Sequence, residues 1–359
     1  MKKRAVFIFC GNLEKDPVAA GVLKQSQALF PLAETSQFVD GHPVLTWERP
    51  DGAIFYFVTT AEIISDDYAH YLPIMKGLFA DCSVAGLVNW HAGGNAPDKV
   101  LCVHTTGDVP SGQFGPASPA AMFSLLRALE EFRQGLRLHD FRTSIEATHW
   151  SGVQNGQDPR LLLDYTVPLM DIEIGSCPTS YGDVRAAEAV ARALPRVFDD
   201  LGPFKSLLCV GGMHFEPAFN DPVLNTTDPL LGASHVLPNQ WLETYTDEGT
   251  QGRLLHCVNT IAGGIDAIVF HDNLKGAVKA QLRTLAETLG VPAIKHQRLR
   301  MPGTIEWPTH DHRRQTSLKW GSHEKPATGH PSASPDVNNS SEFNGASQCL
   351  RLENDNLAP

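Results

Sequence analysis

Short apolar runs alternate along this chain with stretches of helical period, and few architectures accommodate that rhythm. Residues 5–10, 86–90, 101–103, 206–210 and 267–270 are apolar almost throughout and too short for surface helices. They read as strands buried on both faces, as happens when helices cover both sides of a sheet. Residues 17–29, 71–79, 183–193, 254–261 and 274–289 space apolar side chains as a helix with one buried face does. Strand and helix in alternation predict an α/β layer fold. Some antiparallel character is expected early, because residues 44–47 and 54–58 flank the turn signal Pro50-Asp51-Gly52.

Local chemistry marks several boundaries. Ser118-Pro119 joins a good N-cap to the residue favoured at the first helical position, ahead of an apolar face of Met122, Leu125, Leu126, Leu129 and Phe132. Asp183 caps a helix that Pro195 should end or kink. Further strands are predicted at 141–148, at 168–174 with Asp171 and Glu173, and at 293–295. A chain of 359 residues suffices for one large domain or two small ones. The elements run to about residue 298, so one α/β domain over 1–298 and a largely disordered tail over 299–359 are expected. From about Thr309 the tail is rich in Ser, Asn, Pro and Gly, a composition that buries too little apolar surface to fold. His310 and His312 within it read as solvated rather than as a metal site.

A formal net charge of −11 argues against wrapping duplex DNA, so any nucleic-acid contact must use a local basic patch. The seven cysteines form no C-x-x-C pair and several lie in apolar runs, which suits small buried hydrophobes in a reducing compartment. Lys2-Lys3-Arg4 resembles the start of a signal peptide, but the apolar run after it is short and Gly11-Asn12-Leu13-Glu14 follows in place of a cleavage site. No stretch approaches the length of a membrane span. A cytoplasmic protein with no membrane partner is expected.

The heptapeptide Ser144-Ile145-Glu146-Ala147-Thr148-His149-Trp150 puts a carboxylate and an imidazole three residues apart where a buried strand should end. Such groups either satisfy each other or have a task. His91, His104 and His214 also follow predicted strands, and His235 lies in what reads as a loop, Ala233-Ser234-His235-Val236-Leu237-Pro238. Ligands of open α/β sheets bind beyond the carboxyl ends of strands, so these imidazoles can converge with Glu146 on one cleft. No pair has metal-ligand spacing on a single element. A metal site would be assembled from distant segments, and three nitrogen or oxygen ligands with an open position suit a catalytic zinc. Gly211 and Gly212 follow a strand directly and allow a sharp turn against a ligand. Lys275 begins a helix and opposes its dipole, a conflict of the kind found at anion sites; the alternative is a solvated basic face with Lys279 and Arg283.

Together these segments resemble one family, the archaeal/plant-type D-aminoacyl-tRNA deacylases. Asp40-Gly41-His42-Pro43-Val44 is similar to the family's D-G-x-P-V, and Val103-His104-Thr105-Thr106-Gly107-Asp108 to its T-H-x-T-G-N. Ile145-Glu146-Ala147-Thr148-His149-Trp150-Ser151-Gly152 resembles Y-E-A-T-H-H-G-P, and Ile172-Glu173-Ile174-Gly175-Ser176 a strand ending in E-I-G-S. Gly211-Gly212-Met213-His214-Phe215-Glu216-Pro217 is similar to G-G-G-H-Y-A-P, Ser234-His235-Val236-Leu237-Pro238 to G-H-I-L-P, and Lys275-Gly276 to a lysine-glycine pair. The resemblance covers about residues 1–298. Trp150 stands where the family has a second histidine, Trp90 where it has an arginine, and Met213 and Glu216 alter the glycine-rich loop.

The resemblance implies a three-layer α/β/α sandwich with a mixed, mostly parallel sheet, of the phosphorylase/peptidyl-tRNA-hydrolase-like kind. It also implies hydrolysis of the ester that joins a D-amino acid to the tRNA 3′ end, with zinc associated. The expected machinery is Glu146 as base, with His149 and Glu173 as further catalytic groups. His149, His214 and His235 are expected to hold zinc. His91, His104, Gly211, Gly212 and Lys275 are expected to meet substrate, Lys275 through a phosphate near the aminoacyl-tRNA 3′ end. A monomer is expected. A single-stranded acceptor end suits a local pocket, so an acidic chain can bind it. Two other readings stand beside this one: a hydrolase or phosphorylase of a small metabolite on the same fold, and a degenerate protein that holds aminoacyl-tRNA or a metabolite without turnover.

Overall fold

The apolar runs become the central strands of two sheets. A computed structural model describes residues 3–93 and 96–308. The chain opens with β1 (Arg4–Cys10), α1 (Ala19–Leu29), β2 (Ala33–Val39), β3 (His42–Glu48) and β4 (Ile54–Thr60). Next come α2 (Tyr68–Phe79), β5 (Val84–His91), β6 (Lys99–Thr105), β7 (Gly107–Asp108), β8 (Gln113–Phe114), α3 (Pro119–Gly135) and β9 (Arg142–Ile145). Then follow β10 (Leu169–Ser176), α4 (Pro178–Tyr181), α5 (Val184–Ala193), β11 (Phe204–Val210), α6 (Pro217–Asn225) and β12 (Leu230–Leu237). The last are α7 (Thr250–Asn259), β13 (Ala267–Phe270), α8 (Gly276–Leu289) and β14 (Ala293–Lys295).

The first sheet has eight strands in the order β2-β3-β4-β1-β5-β10-β6-β9, and the second has four in the order β12-β11-β13-β14. The mixed, mostly parallel sheet expected from the sequence is present, a second main sheet lies beside it, and β7 and β8 form a small two-stranded one. The second is parallel throughout, whereas the first mixes parallel pairs with antiparallel ones at β2/β3, β3/β4 and β10/β6. Side chains alternate across each strand, so each sheet feeds two cores. From β1, Ala5, Phe7 and Phe9 enter a cluster with helices α1, α3 and α5, while Val6 and Ile8 face α2. From β11, Leu207 and Cys209 join that first cluster, and Leu208 and Val210 face α7 and α8. The inner faces of both sheets therefore share one apolar core. Each fully buried Phe or Leu within it contributes about 1.5–3 kcal/mol.

The helix-start signals work as read. The Ser118 side chain accepts from Ala121 N–H, and that of Asp183 from Arg185 and Ala186 N–H. Past α5 the chain tightens into a 3-10 turn, Leu194–Phe198, that carries Pro195. Besides the short β7, β8 and α4, three longer elements had no clear sequence signal. β2 is a polar, largely exposed edge strand. α6 starts on Pro217 behind a Glu216 cap. β12 is buried almost throughout, although Gly232, Ser234 and His235 break its apolar run. His235, expected in a loop, is thus in a buried strand. β9 stops at Ile145, short of the expected 148. The packed chain also passes the boundary expected at 298, since Leu299 and Ile305 are buried in the core. His310 and His312 lie outside the described residues. Among the described residues no helix is long and apolar enough to cross a membrane.

Candidate active site

The first sheet supplies the floor of the site by register. β10 carries Asp171 and Glu173 two apart, hence on one face. Antiparallel β6 places His104 opposite Asp171 and Cys102 opposite Glu173. Parallel β5 ends at His91, opposite Gly175. A Cβ on Gly175 would come within 2.6 Å of the His91 Cβ, so only glycine lets the ring sit there. His104 therefore arrives on a strand antiparallel to the one beside it, not from a row of parallel carboxyl ends.

Beyond β9 the backbone leaves the first sheet for the second. Ala147 N–H donates to His214 O at 2.9 Å and Thr148 N–H to Val236 O at 2.8 Å. This crossing carries Glu146 and His149 to the loop after β11. That loop turns through Gly211 and Gly212, at φ 98° and 79°, values that favour glycine. A Cβ on Gly212 would meet the Glu216 carboxylate at 2.3 Å. Glu216 accepts from Met213 N–H and Ala218 N–H, so the residue that departs from the family pattern ties the loop to α6.

Glu146 is the centre of the cluster, 1% exposed. Its Oε1 lies 2.6 Å from His214 Nε2, 3.3 Å from His91 Nε2 and 3.6 Å from His149 Nδ1. The Cys102 thiol donates to its Oε2 at 3.2 Å and approaches Glu173 Oε2 at 3.7 Å. His104 Nε2 lies 3.6 Å from Glu173 Oε1 and 3.9 Å from Asp171 Oδ2. Asn89 donates to Asp171 at 2.9 Å, and His91 Nδ1 meets Ser176 Oγ at 2.8 Å.

These distances set the charges. Burial works against ionised Glu146, but His91, His104, His149 and the His214 hydrogen bond outweigh it and hold the carboxyl well below its usual range. Burial and the Glu146 charge push Glu173 up to about 7. Burial opposes charge on His104 too, yet the Asp171, Glu146 and Glu173 carboxylates raise it to about 10. His149 stacks on His104 with ring centroids 3.9 Å apart. Burial and that neighbouring charge hold His149 well below the usual histidine range. His149 Nδ1 donates to Ala147 O at 2.9 Å, so the neutral ring carries its lone pair on Nε2.

The cluster floors a cavity of about 1340 Å³ whose lining includes His91, His104, His149, Asp171, Glu173 and His214. It also includes Met213, which is 61% exposed at the rim. The donors of His91, Glu146 and His214 lie close enough together to share one metal ion, as do those of His104, Asp171 and Glu173. His104 Nε2 makes no hydrogen bond within 3.5 Å and faces the Asp171 and Glu173 carboxylates at 3.9 and 3.6 Å, the setting of a protonated imidazole. Imidazole and carboxylate donors of this kind suit zinc.

Of the residues picked from sequence, Glu146, His149, Glu173, His91, His104 and His214 come together, and Gly212 lines the cavity. His235 does not, and its expected role as a ligand is corrected. It is fully buried, its Nδ1 is 2.8 Å from Thr105 Oγ1 and its Nε2 is 3.0 Å from Thr260 Oγ1. Burial takes it down to about 3, so it is a neutral core residue. Gly211 and Lys275 are not among the lining residues, and Lys275 is exposed at the N-cap of α8. The structure therefore does not bring these two to the cavity floor with the imidazoles. Cys102 and Asp171 were missed as site residues. Asp171 had a signal, two acids on one face of an apolar strand, whereas Cys102 reads as any buried cysteine. Trp150, in the place of the family's second histidine, is 4% exposed and meets Tyr68 edge-on at 5.3 Å.

An α/β protein with a buried imidazole–carboxylate cluster at the junction of its sheets is the class that fold and site define. A family model described as D-aminoacyl-tRNA deacylase matches residues 78–294, and the chain belongs to that family. It is 28% identical over 217 residues to the D-aminoacyl-tRNA deacylase of Haloarcula marismortui, covering 55% of this chain and 44% of that one. It is 27% identical over 212 residues to the protein of the same name from Cenarchaeum symbiosum, covering 56% and 74%. The chain thus spans less than half the length of the haloarchaeal relative. A solved structure of a conserved protein of unknown function shares the fold, with a TM-score of 0.67, 19% identity, and 86% of this chain and 99% of that one covered.

Proposed function

We propose that the protein hydrolyses the ester of D-aminoacyl-tRNA to free D-amino acid and tRNA. One observation carries the reading: an ionised, buried Glu146 holds three imidazoles within 3.6 Å on the floor of a cavity large enough for an aminoacylated nucleoside. His149 is the base. Its Nε2 lone pair takes a proton from water as that water attacks the ester carbonyl, and returns it to the departing ribose oxygen. Glu146 orients His214 and His91 and steadies positive charge as it forms on the imidazoles. His104, stacked beneath His149, keeps that base neutral before the reaction. Zinc held by His91, Glu146 and His214 would supply a polarised water and a Lewis acid. Free cysteines and an aminoacyl-tRNA substrate support a cytoplasmic setting.

The test is to incubate purified protein with D- and L-aminoacyl-tRNA and follow release of the amino acid, with metal content measured on the same preparation. Faster release from the D-ester is expected. Loss of both esters at the background rate would remove the deacylase reading.

A further inference from the structure

The chemistry above uses the cavity floor and gives no role to the wall built by the turn after β12. That wall is the three-residue 3-10 segment Asn239–Trp241. The turn is well anchored. Asn239 N–H donates to Gly212 O at 3.1 Å, and Leu242 N–H to Asn239 O at 3.1 Å. Behind it, Leu242 and Tyr245 are 2% and 0% exposed. The Trp241 indole rests partly on the apolar cluster of the second sheet and lines the cavity. It stands perpendicular to the His214 ring at 5.5 Å and lies 6.1 Å from His149. Asn239 and Gln240 line the same cavity, and neither side-chain amide has a hydrogen-bond partner among the described residues.

A part-buried indole beside unused primary amides is the chemistry of base recognition. The ring stacks on a base, and an amide offers a donor beside an acceptor, the pattern that matches adenine. Charge around the cavity argues against reading the substrate through its phosphates. Among the described residues Lys15 is the sole Lys or Arg of the lining and is paired with Glu62, while Asp66 and Asp108 line the same space.

We propose that the turn Asn239–Trp241 is a nucleobase subsite, which takes the adenine of the substrate's terminal adenosine while the ester lies over His149 and His214. This rests on the deacylase reading and names the part that recognises the tRNA end. The subsite sets binding of the terminal nucleoside, so its loss acts on KM more than on kcat.

The experiment compares wild type with Trp241→Leu, Trp241→Phe and Gln240→Ala. Each is assayed on D-aminoacyl-tRNA and titrated with adenosine and cytidine by NMR. Wild type is expected to bind adenosine at least about tenfold more tightly than cytidine. Trp241→Leu should raise KM and the adenosine Kd about 5- to 150-fold, with kcat within about threefold, and Trp241→Phe should recover most of the loss. Gln240 is exposed, so Gln240→Ala stays folded and should narrow the preference for adenosine even if Trp241→Leu melts early. Unchanged KM and adenosine affinity in Trp241→Leu, or a loss confined to kcat, overturns the subsite alone. A wild type that binds adenosine through Trp241 yet releases no D-amino acid overturns the deacylase reading and leaves the subsite standing.

Discussion

Asp16 is a carboxyl whose burial the fold leaves half compensated, and replacing it with asparagine tests that account. The residue is 0% exposed. Its Oδ1 accepts from Val18 N–H at 2.8 Å and Ala19 N–H at 2.9 Å at the start of α1, while its Oδ2 is buried without a partner. Burial pushes the carboxyl from 3.8 up to about 6, against the pull of the two backbone donors. The unfolded chain therefore ionises first as pH rises. Between about pH 4 and 6 it binds fewer protons than the folded chain, and stability falls with rising pH. A shift of about two pH units corresponds to about 3 kcal/mol. Asparagine keeps the acceptor for both N–H groups and cannot ionise. Urea unfolding of both proteins from pH 4.5 to 8 reads the difference. Asp16→Asn should gain on wild type by about 2 kcal/mol between pH 4.5 and 6, with the gap flat above pH 7. A gap that does not vary with pH, or a variant less stable at pH 8, would refute the reasoning.

Further outcomes follow from the same geometry. Glu146→Gln should lower kcat/KM for D-aminoacyl-tRNA at least about 100-fold with the fold retained, because a neutral amide no longer sustains charge on the imidazoles; full activity would remove Glu146 from the machinery. His235→Leu should destabilise the protein by about 1–3 kcal/mol, by removing two buried hydrogen bonds from hydroxyls that keep Thr148 and Cys257 O as partners, and leave bound zinc per folded chain unchanged. Loss of zinc from that variant would restore His235 as a ligand. Trp150→His should cost about 2–4 kcal/mol of stability in denaturant titration, because an indole packed on Tyr68 is lost from the core. Chelation should remove zinc and activity together, and zinc but not magnesium should restore both; a metal-free protein with full activity would rule out the metal.

The α/β architecture was legible because a strand covered on both faces must be apolar along its length, as residues 5–10 and 206–210 are. β12 was hidden for the converse reason. Gly232 is required because a Cβ would come within 2.8 Å of the Phe204 ring, and Ser234 and His235 satisfy their polar atoms inside the core. Those letters read as a loop. Glu146, His149 and His214 stood out as titratable groups at the ends of buried runs. His235 carries the same letter and a similar setting, and what separates it is the Thr105 and Thr260 hydroxyls, supplied by distant segments. Cys102 was invisible because its part depends on the antiparallel register of β6 against β10, which sequence pattern does not declare.

The backbone crossing from Ala147 to Thr148 has a consequence for how activity arises. One sheet holds His91 and His104, the other delivers His214, and the strand-to-strand suture between them is made by the peptide that bears Glu146 and His149. The first sheet alone still pairs His104 with Asp171 and Glu173, whereas the second alone leaves His214 without the Glu146 carboxylate. Competence is thus acquired at the moment the halves join, and a molecule closed in the wrong alignment is inert rather than a careless esterase.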